Sequence, residues 1–165
     1  MAALGEPGQS PEGRFFPDTY AYSRGVSDLT VLRRAHAAMQ RRLVSAWAER
    51  AADLPLKSID EALILASIVE KETGRDADRG LVAAVFVNRL RIGMPLQTDP
   101  TVIYGLGAAF DGNLRKRDLL ADTPYNTYTR RGLPPTPIAM PGAASLRAAV
   151  QPAPMGQVVV EAISQ

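Results

Sequence analysis

Residues 63–73 constrain the fold most, because they are apolar on nearly every side of a helix and then end in two carboxylates. They read Leu-Ile-Leu-Ala-Ser-Ile-Val-Glu-Lys-Glu-Thr. A helix that is apolar all round lies in the interior rather than on a surface. The sequence therefore predicts a central helix with Glu70 and Glu72 at its carboxyl end. Each carboxyl group there either reaches water or lies in a poorly solvated site, where a carboxylic acid can keep its proton and act as a general acid.

Capping signals around this stretch predict further helices. Ser-Ile-Asp-Glu at residues 58–61 is a capping-box sequence, which starts the central helix. Gly74 and Gly93 suit the left-handed conformation that ends helices. The predicted helices cover residues 28–51, 58–74, 76–93 and 143–150.

The second half of the chain has a different composition. Most of the prolines lie there, the segments between them are short, and residues 96–102 read as a polar loop leading into a brief apolar run. Residues 158–163 are the best strand candidate, because they are rich in β-branched side chains. We predict an α+β fold: a helical core that carries the carboxylates, irregular proline-rich loops and a small β component. Residues 1–12 are expected to be a disordered lead-in to one domain at 13–165.

Composition excludes several classes of function. The chain of 165 residues has no cysteine and one histidine, His36, so disulfides, cysteine-ligated metals and Ser-His-Asp triads are not expected. A net charge of +2 and the absence of a nucleic-acid-binding motif argue against nucleic acid as a partner. The apolar runs are shorter than the roughly 20 residues that span a bilayer.

The polar and aromatic residues on the loops suit a site for a glycan chain. Such a site needs aromatic faces for sugar rings, amides and hydroxyls for sugar hydroxyl groups, and a carboxylic acid. Most glycosidases use two carboxyl groups, but Glu70 and Glu72 project in nearly opposite directions from a helix. One of them therefore faces the site, and periodicity does not say which. The candidate sugar contacts are Asn88, Gln97, Thr98, Asp99, Tyr104, Tyr125, Asn126 and Tyr128.

Several motifs, in the same order, make the chain resemble the YceG-like endolytic murein transglycosylases, the MltG family. The central motif is Ala66-Ser67-Ile68-Val69-Glu70-Lys71-Glu72-Thr73. The other matching segments are Glu12-Gly13 with Phe16-Pro17-Asp18-Thr19-Tyr20, Val85-Phe86-Val87-Asn88-Arg89-Leu90, Leu96-Gln97-Thr98-Asp99-Pro100-Thr101-Val102-Ile103-Tyr104-Gly105, Tyr125-Asn126-Thr127-Tyr128 and Gly132-Leu133-Pro134-Pro135.

The resemblance implies a lytic cleavage of peptidoglycan between N-acetylmuramic acid and N-acetylglucosamine. In that reaction one glutamic acid protonates the glycosidic oxygen, and its carboxylate then helps the muramic 6-hydroxyl attack C1, which leaves a 1,6-anhydro end. No cofactor or metal is implied. The resemblance assigns the acid to Glu70, the first glutamate of Glu-Lys-Glu, and gives Glu72 a supporting or surface position. It also implies roles as hydroxyl and N-acetyl contacts for six of the candidates: Asn88, Gln97, Thr98, Asp99, Tyr125 and Asn126.

The resemblance also implies a setting. Peptidoglycan strands are the expected substrate, peptidoglycan synthases are possible partners, and the full-length family works at the periplasmic face of the inner membrane. We recognise neither the family's membrane anchor and LysM-like domain nor its C-terminal phenylalanine and histidine motif. The expectation is thus a soluble chain without anchor or signal, a catalytic domain with a truncated or divergent C-terminal part, and an open question about its activity.

Two other functions fit parts of the sequence. A non-catalytic peptidoglycan-binding or scaffold module would bind sacculi and produce no anhydro ends. A pyridoxal-phosphate lyase would need a Schiff-base lysine and a phosphate-binding loop. None of the three lysines, Lys57, Lys71 and Lys116, stands beside a glycine-rich segment, so this alternative is the weaker one.

Overall fold

The computed structural model describes residues 1–154, in which the regular structure is helical. The small β component is therefore not confirmed, and the strand predicted at residues 158–163 lies outside the described residues. Two short 3-10 helices, Ala2–Leu4 and Gly107–Ala109, accompany the α-helices. The α-helices are α1 (Asp28–Ala48), α2 (Ile59–Glu72), α3 (Asp76–Ile92), α4 (Asp99–Leu106), α5 (Lys116–Leu120) and α6 (Ala143–Val150).

Helix α2 is the centre of the fold, as its sequence predicts. Every residue from Ala62 to Val69 is buried, and α1, α3, α4 and α6 all pack against this helix. The predicted capping box forms only in part at its start, because the Glu61 side chain bonds the amide before Ser58 and not that of Ser58 itself. The Ser58 hydroxyl accepts a hydrogen bond from the Glu61 amide at 3.2 Å, and the Glu61 carboxylate accepts one from the Lys57 amide.

The end of α2 differs from the prediction. The helix stops at Glu72, and Thr73 is extended with φ −144°. Gly74 does not adopt the left-handed conformation, although Gly93 does so after α3, with φ 71°. The Thr73 carbonyl instead accepts a hydrogen bond from the Arg79 side chain at 2.9 Å. A side chain from the following helix thus replaces the predicted glycine cap.

Helices α4 and α5 are absent from the prediction, whereas α6 has the predicted bounds. The error at α4 came from treating Thr98, Asp99 and Pro100 as a continuous loop. Proline is favoured in the first turn of a helix, where its missing N–H costs nothing, and here it follows Asp99 at the start of α4. The proline in this segment starts a helix rather than preventing one.

The segment before α1 packs onto the domain, as its aromatic residues suggest. Phe16 is buried, and its amide donates to the Ala35 carbonyl at 3.1 Å. Gly13 has φ +77° and lies so close to Pro137 that a Cβ atom at this position would be 2.5 Å from the Pro137 Cβ. The start of the chain therefore closes against the loop that leads into α6.

None of the helices described for residues 1–154 combines the length and the apolar character needed to cross a bilayer.

Candidate functional site

The two carboxylates at the end of α2 contact different parts of the molecule. Glu72 accepts a hydrogen bond from the Thr98 hydroxyl at 2.8 Å. Glu70 forms an ion pair with Arg79, at 3.2 Å between Oε2 and Nη1, and also accepts a hydrogen bond from the Ser145 hydroxyl. This follows from helix geometry, because residues two apart point about 200° away from each other. Glu72 therefore lies with the loop before α4, and Glu70 lies with α3 and α6.

Several predicted sugar contacts surround Glu72. Thr98 is almost fully buried, and its amide donates to the Thr127 hydroxyl at 3.0 Å. The Tyr128 hydroxyl donates to Asp99 at 2.5 Å. The pKa of Tyr128 is raised, first by burial, then by its hydrogen bond to Asp99 and by the negative charges of Asp99 and Glu72. Three of the eight candidates thus lie with the second glutamate of the motif.

Gln97 occupies an unusual backbone conformation at this site. Its φ is 52°, in the left-handed region that side chains other than glycine seldom adopt. Its amide donates to the Thr127 carbonyl at 3.2 Å, which fixes the turn before α4. The side chain of Gln97 is exposed and is free to meet a ligand.

Tyr104 and Tyr125 form an aromatic pair with half-exposed rings. Their ring centroids are 4.8 Å apart and their planes are tilted by 55°. The Tyr104 hydroxyl donates to Glu12 at 3.3 Å, and the Tyr125 hydroxyl bonds the Thr136 hydroxyl at 2.8 Å. Burial and the neighbouring Glu12 carboxylate raise the pKa of Tyr104. Aromatic faces beside hydroxyl and carboxylate groups can stack on a sugar and bond its hydroxyl groups.

Two predicted sugar contacts have other surroundings. Asn126 is buried, and its side-chain N–H groups donate to the Ala121 and Leu119 carbonyls at 2.7 and 3.0 Å. Its side-chain oxygen accepts from the Tyr128 amide at 2.9 Å. A sugar contact fits Asn126 poorly, because both ends of its amide already hold the loop together. Asn88 is half-buried on α3, and within residues 1–154 no hydrogen bond joins it to Glu70 or Glu72.

Sequence reasoning missed four polar residues that bond either the tyrosine pair or Glu70. Glu12 and Thr136 bond the tyrosine pair, and Arg79 and Ser145 bond Glu70. Arg79 and Ser145 come from helices whose periodicity gives no sign of a polar contact. Glu12 lies inside a matching motif, and this was the one available signal. Within residues 1–154 no group of three or more histidine, cysteine and acidic side chains is arranged to hold a metal ion.

The comparisons with known proteins agree with the resemblance seen in the motifs. The sequence model of the YceG-like family matches residues 2–158. The chain belongs to the YceG-like family. This YceG-like chain is 40% identical over 141 residues to the endolytic murein transglycosylase of Bacillus subtilis. The aligned region covers 86% of this chain and 39% of that relative. It is 32% identical over 144 residues to the protein of the same name from Streptococcus pneumoniae, and that alignment covers 84% of this chain and 26% of the relative.

A solved structure supports the fold of the YceG-like chain. A crystal structure of a YceG-like protein from Listeria monocytogenes matches it with a TM-score of 0.75 and 34% identity. The match covers 93% of this chain and 50% of that one. The chain thus spans less than half the length of the curated relatives described above and half of the solved structure. Both its sequence and its fold place it in the YceG-like family.

Proposed function

We propose that this chain is the catalytic part of a lytic transglycosylase that cleaves peptidoglycan between N-acetylmuramic acid and N-acetylglucosamine and leaves 1,6-anhydro ends. Membership of the YceG-like family and the names of its relatives support the substrate class. The observation that carries the proposal is the position of Glu70 at the end of the buried helix α2, where Arg79 and Ser145 hold its carboxyl group. Peptidoglycan synthases as partners, and a location at the inner membrane, stay predictions from the resemblance.

One carboxyl group is sufficient for this reaction. As an acid it gives its proton to the glycosidic oxygen, so the bond from that oxygen to the muramic C1 breaks and the N-acetylglucosamine leaves as an alcohol. As a carboxylate it then accepts the proton of the muramic 6-hydroxyl while O6 bonds C1. The acid is regenerated, and water takes no part. A single glutamate that faces the sugar-binding residues therefore fits the chemistry better than two carboxylates on one face would.

Glu70 is our choice for this acid, as the resemblance implies. Oε2 of Glu70 accepts hydrogen bonds from Arg79 and Ser145, which orient its carboxyl group at the end of α2. Glu72 lies beside Thr98 and contributes to the electrostatic field at Tyr128. It has a supporting position in this proposal and is the alternative acid.

Paired glutamine variants test which glutamate acts. We expect Glu70→Gln to abolish the formation of anhydro ends, because glutamine cannot donate the proton, while Glu72→Gln retains it. The neighbouring exposed Lys71 provides a matched control, and Lys71→Gln is expected to keep wild-type activity. The measurement is mass spectrometry of muropeptides from digested sacculi, with circular dichroism to confirm that each variant is folded.

The same assay separates the alternatives. If Glu72→Gln loses all anhydro products and Glu70→Gln keeps them, the acid is Glu72 and our choice is wrong. If the wild-type chain binds sacculi and yields no anhydro ends, the transglycosylase proposal for this chain is refuted and the non-catalytic binding module is supported.

A further inference from the structure

We propose that Oε1 of Glu70 is the oxygen that exchanges the proton with the sugar, and that Gly142 keeps the approach to this oxygen open. The inference rests on the proposed function, in which Glu70 is the acid. It adds a residue that limits what can reach that acid. Gly142 lies on the loop before α6 and is the N-cap residue of that helix.

The two oxygens of the Glu70 carboxyl group have different surroundings. Oε2 accepts hydrogen bonds from Nη1 of Arg79, at 3.2 Å, and from the Ser145 hydroxyl. The Glu70 side chain is 29% exposed, whereas that of Arg79 is 11% exposed and Ser145 is fully buried. Among residues 1–154, no hydrogen bond reaches Oε1. One oxygen is therefore fixed inside the protein, and the other is left for a ligand.

The donors on Oε2 decide which oxygen of Glu70 carries the acid proton. A guanidinium group can only donate, so the Ser145 hydroxyl accepts from Nη1 of Arg79 at 3.0 Å and gives its single proton to Glu70. Oε2 thus receives two donors, which occupy its two lone pairs. When Glu70 is protonated, the proton lies on Oε1. This oxygen gives it to the glycosidic oxygen and later takes the proton of the muramic 6-hydroxyl.

Gly142 lies in front of this free oxygen. A Cβ atom built on Gly142 would be 3.9 Å from Oε1 of Glu70. Among residues 1–154, this is the one atom outside its chain neighbours that the Cβ would meet within 4 Å. A side chain at position 142 would therefore extend toward Oε1 across otherwise open space. The glycosidic oxygen must come within about 2.6–3.2 Å of the acid, so the sugar that carries it needs this space.

The fold itself tolerates a side chain at position 142. The φ of −84° and ψ of 179° at Gly142 are extended values that any residue adopts. Gly13 differs, because its positive φ favours glycine and a Cβ there would clash with Pro137. A Cβ on Gly142 would meet Oε1 at an ordinary contact distance. The effect of a substitution should therefore fall on access to Glu70 and not on folding.

A graded series at position 142 tests this access. Glycine and threonine are about equally good helix N-caps, so we expect Gly142→Thr to keep the wild-type urea midpoint. In assays of anhydro-end formation, kcat/KM should fall by about 3-fold in Gly142→Ala and by about 10-fold or more in Gly142→Thr. The larger loss follows because the larger side chain takes more of the space in front of Oε1.

The matched control places the same side chain one residue further along. Ala143 is exposed and lines the groove between α6 and α1. We expect Ala143→Thr to keep the wild-type kcat/KM, because the added atoms lie away from Glu70. Equal losses in Gly142→Thr and Ala143→Thr would show that the start of α6, and not access to Oε1, is what matters.

Ser145 is tested by the separate effects on kcat and KM. In Ser145→Ala, Arg79 is the one donor left on Oε2 among the described residues, so the carboxyl group can turn. We expect kcat to fall by about 10-fold with KM within about 2-fold, because the buried hydroxyl positions the acid and does not touch the sugar. Gly142→Thr should raise KM instead. The two variants thus separate positioning from access.

Binding provides a readout that does not depend on turnover. The probe is a peptidoglycan tetrasaccharide of alternating N-acetylglucosamine and N-acetylmuramic acid, titrated by calorimetry into Glu70→Gln, which does not cleave it. Adding Gly142→Thr to this variant should raise the Kd by about 10-fold or more. Adding Ala143→Thr should leave it unchanged.

Three results would overturn the inference. They are wild-type kcat/KM and binding in a folded Gly142→Thr variant, equal losses in Gly142→Thr and Ala143→Thr, and wild-type kcat in a folded Ser145→Ala variant. If Gly142→Thr does not fold, Gly142→Ala is judged by the same measurements. A wild-type chain that binds the tetrasaccharide and forms no anhydro ends would instead refute the proposed function, so the two failures are distinguishable.

Discussion

The sequence predicts where Glu70 and Glu72 lie, but not which of them faces the candidate site. The apolar run before them predicts a carboxyl group at the end of a buried helix, and this is where both are found. Periodicity leaves open which one faces the site, because both directions around α2 meet protein. The difference between them comes from Thr98 and Ser145, which lie 26 and 75 residues away along the chain. Contacts over such distances cannot be read from a helical repeat.

Tyr128 should make the stability of the protein depend on pH in the alkaline range. Its folded-state pKa is raised above the ordinary value of 10.0 by burial and by Asp99. A raised pKa means that the folded state keeps the tyrosine proton after the unfolded state has lost it, so the unfolded state gains stability as pH rises above about 10. The stabilisation is therefore complete below pH 10 and is lost progressively above it.

Urea denaturation between pH 8 and pH 11 measures this effect. We expect the free energy of unfolding to fall more steeply above pH 10 in the wild type than in Tyr128→Phe. Tyr22→Phe is the control, because Tyr22 is 71% exposed, and it should follow the wild-type curve. Identical pH profiles for Tyr128→Phe and the wild type would contradict the assignment.

At the scale of elements, the two ends of α2 differ in how far they are predictable. Its start is encoded locally, since Ser58 caps the first turn and the Glu61 carboxylate bonds the amide of Lys57. Its end depends on Arg79, whose contact with Thr73 crosses to another helix. Helix α6 is predictable for the same reason as the start of α2, since its bounds follow from its own residues. The missed helix α4 has another cause, because its proline is a local signal that was interpreted as a helix breaker. Local signals predict helices well where the capping groups belong to the same segment.

Ser67 ties α2 to the loop before α6 and gives a prediction about this packing. Its hydroxyl is fully buried, donates to the Ile64 carbonyl at 2.6 Å and accepts from the Ile138 amide at 3.0 Å. Ser67→Ala leaves the buried Ile138 amide without a partner, which should cost about 1–3 kcal/mol of unfolding free energy. Ser45→Ala, on the exposed side of α1, should change it by less than about 0.5 kcal/mol. Chemical denaturation of both variants tests this, and equal stabilities would contradict it.

At the scale of the whole molecule, the beginning of the chain packs against its later loops. Gly13 fits against Pro137, and Glu12 bonds Tyr104 on α4. The aromatic cluster at residues 15–20 indicates a packed segment but gives no information about its partner. The buried helices are predictable from their composition, whereas the loops around the site are arranged by contacts between distant residues. This is why Thr136 and Ser145 could not be found from sequence.

Gly13→Ala should destabilise the fold more than an equivalent change elsewhere. A Cβ at this position would lie 2.5 and 2.8 Å from Pro137 carbon atoms, and the φ of +77° is itself unfavourable for alanine. Gly25 has φ +90° with nothing within 4 Å, so Gly25→Ala isolates the backbone cost of about 1–2 kcal/mol. We expect Gly13→Ala to lose about 1–3 kcal/mol more, the usual cost of overpacking. Equal urea unfolding midpoints for Gly13→Ala and Gly25→Ala would show that the loop carrying Pro137 moves aside without cost.

The left-handed backbone at Gln97 lowers the stability of this loop. Glycine would adopt that φ without steric penalty, whereas glutamine carries a strain of roughly 1 kcal/mol. Asp53 shows a similar φ of 59° in an exposed loop, but aspartate tolerates this region better than most side chains. Glutamine at this position therefore carries its exposed amide beside Thr98 at a small cost in folding stability.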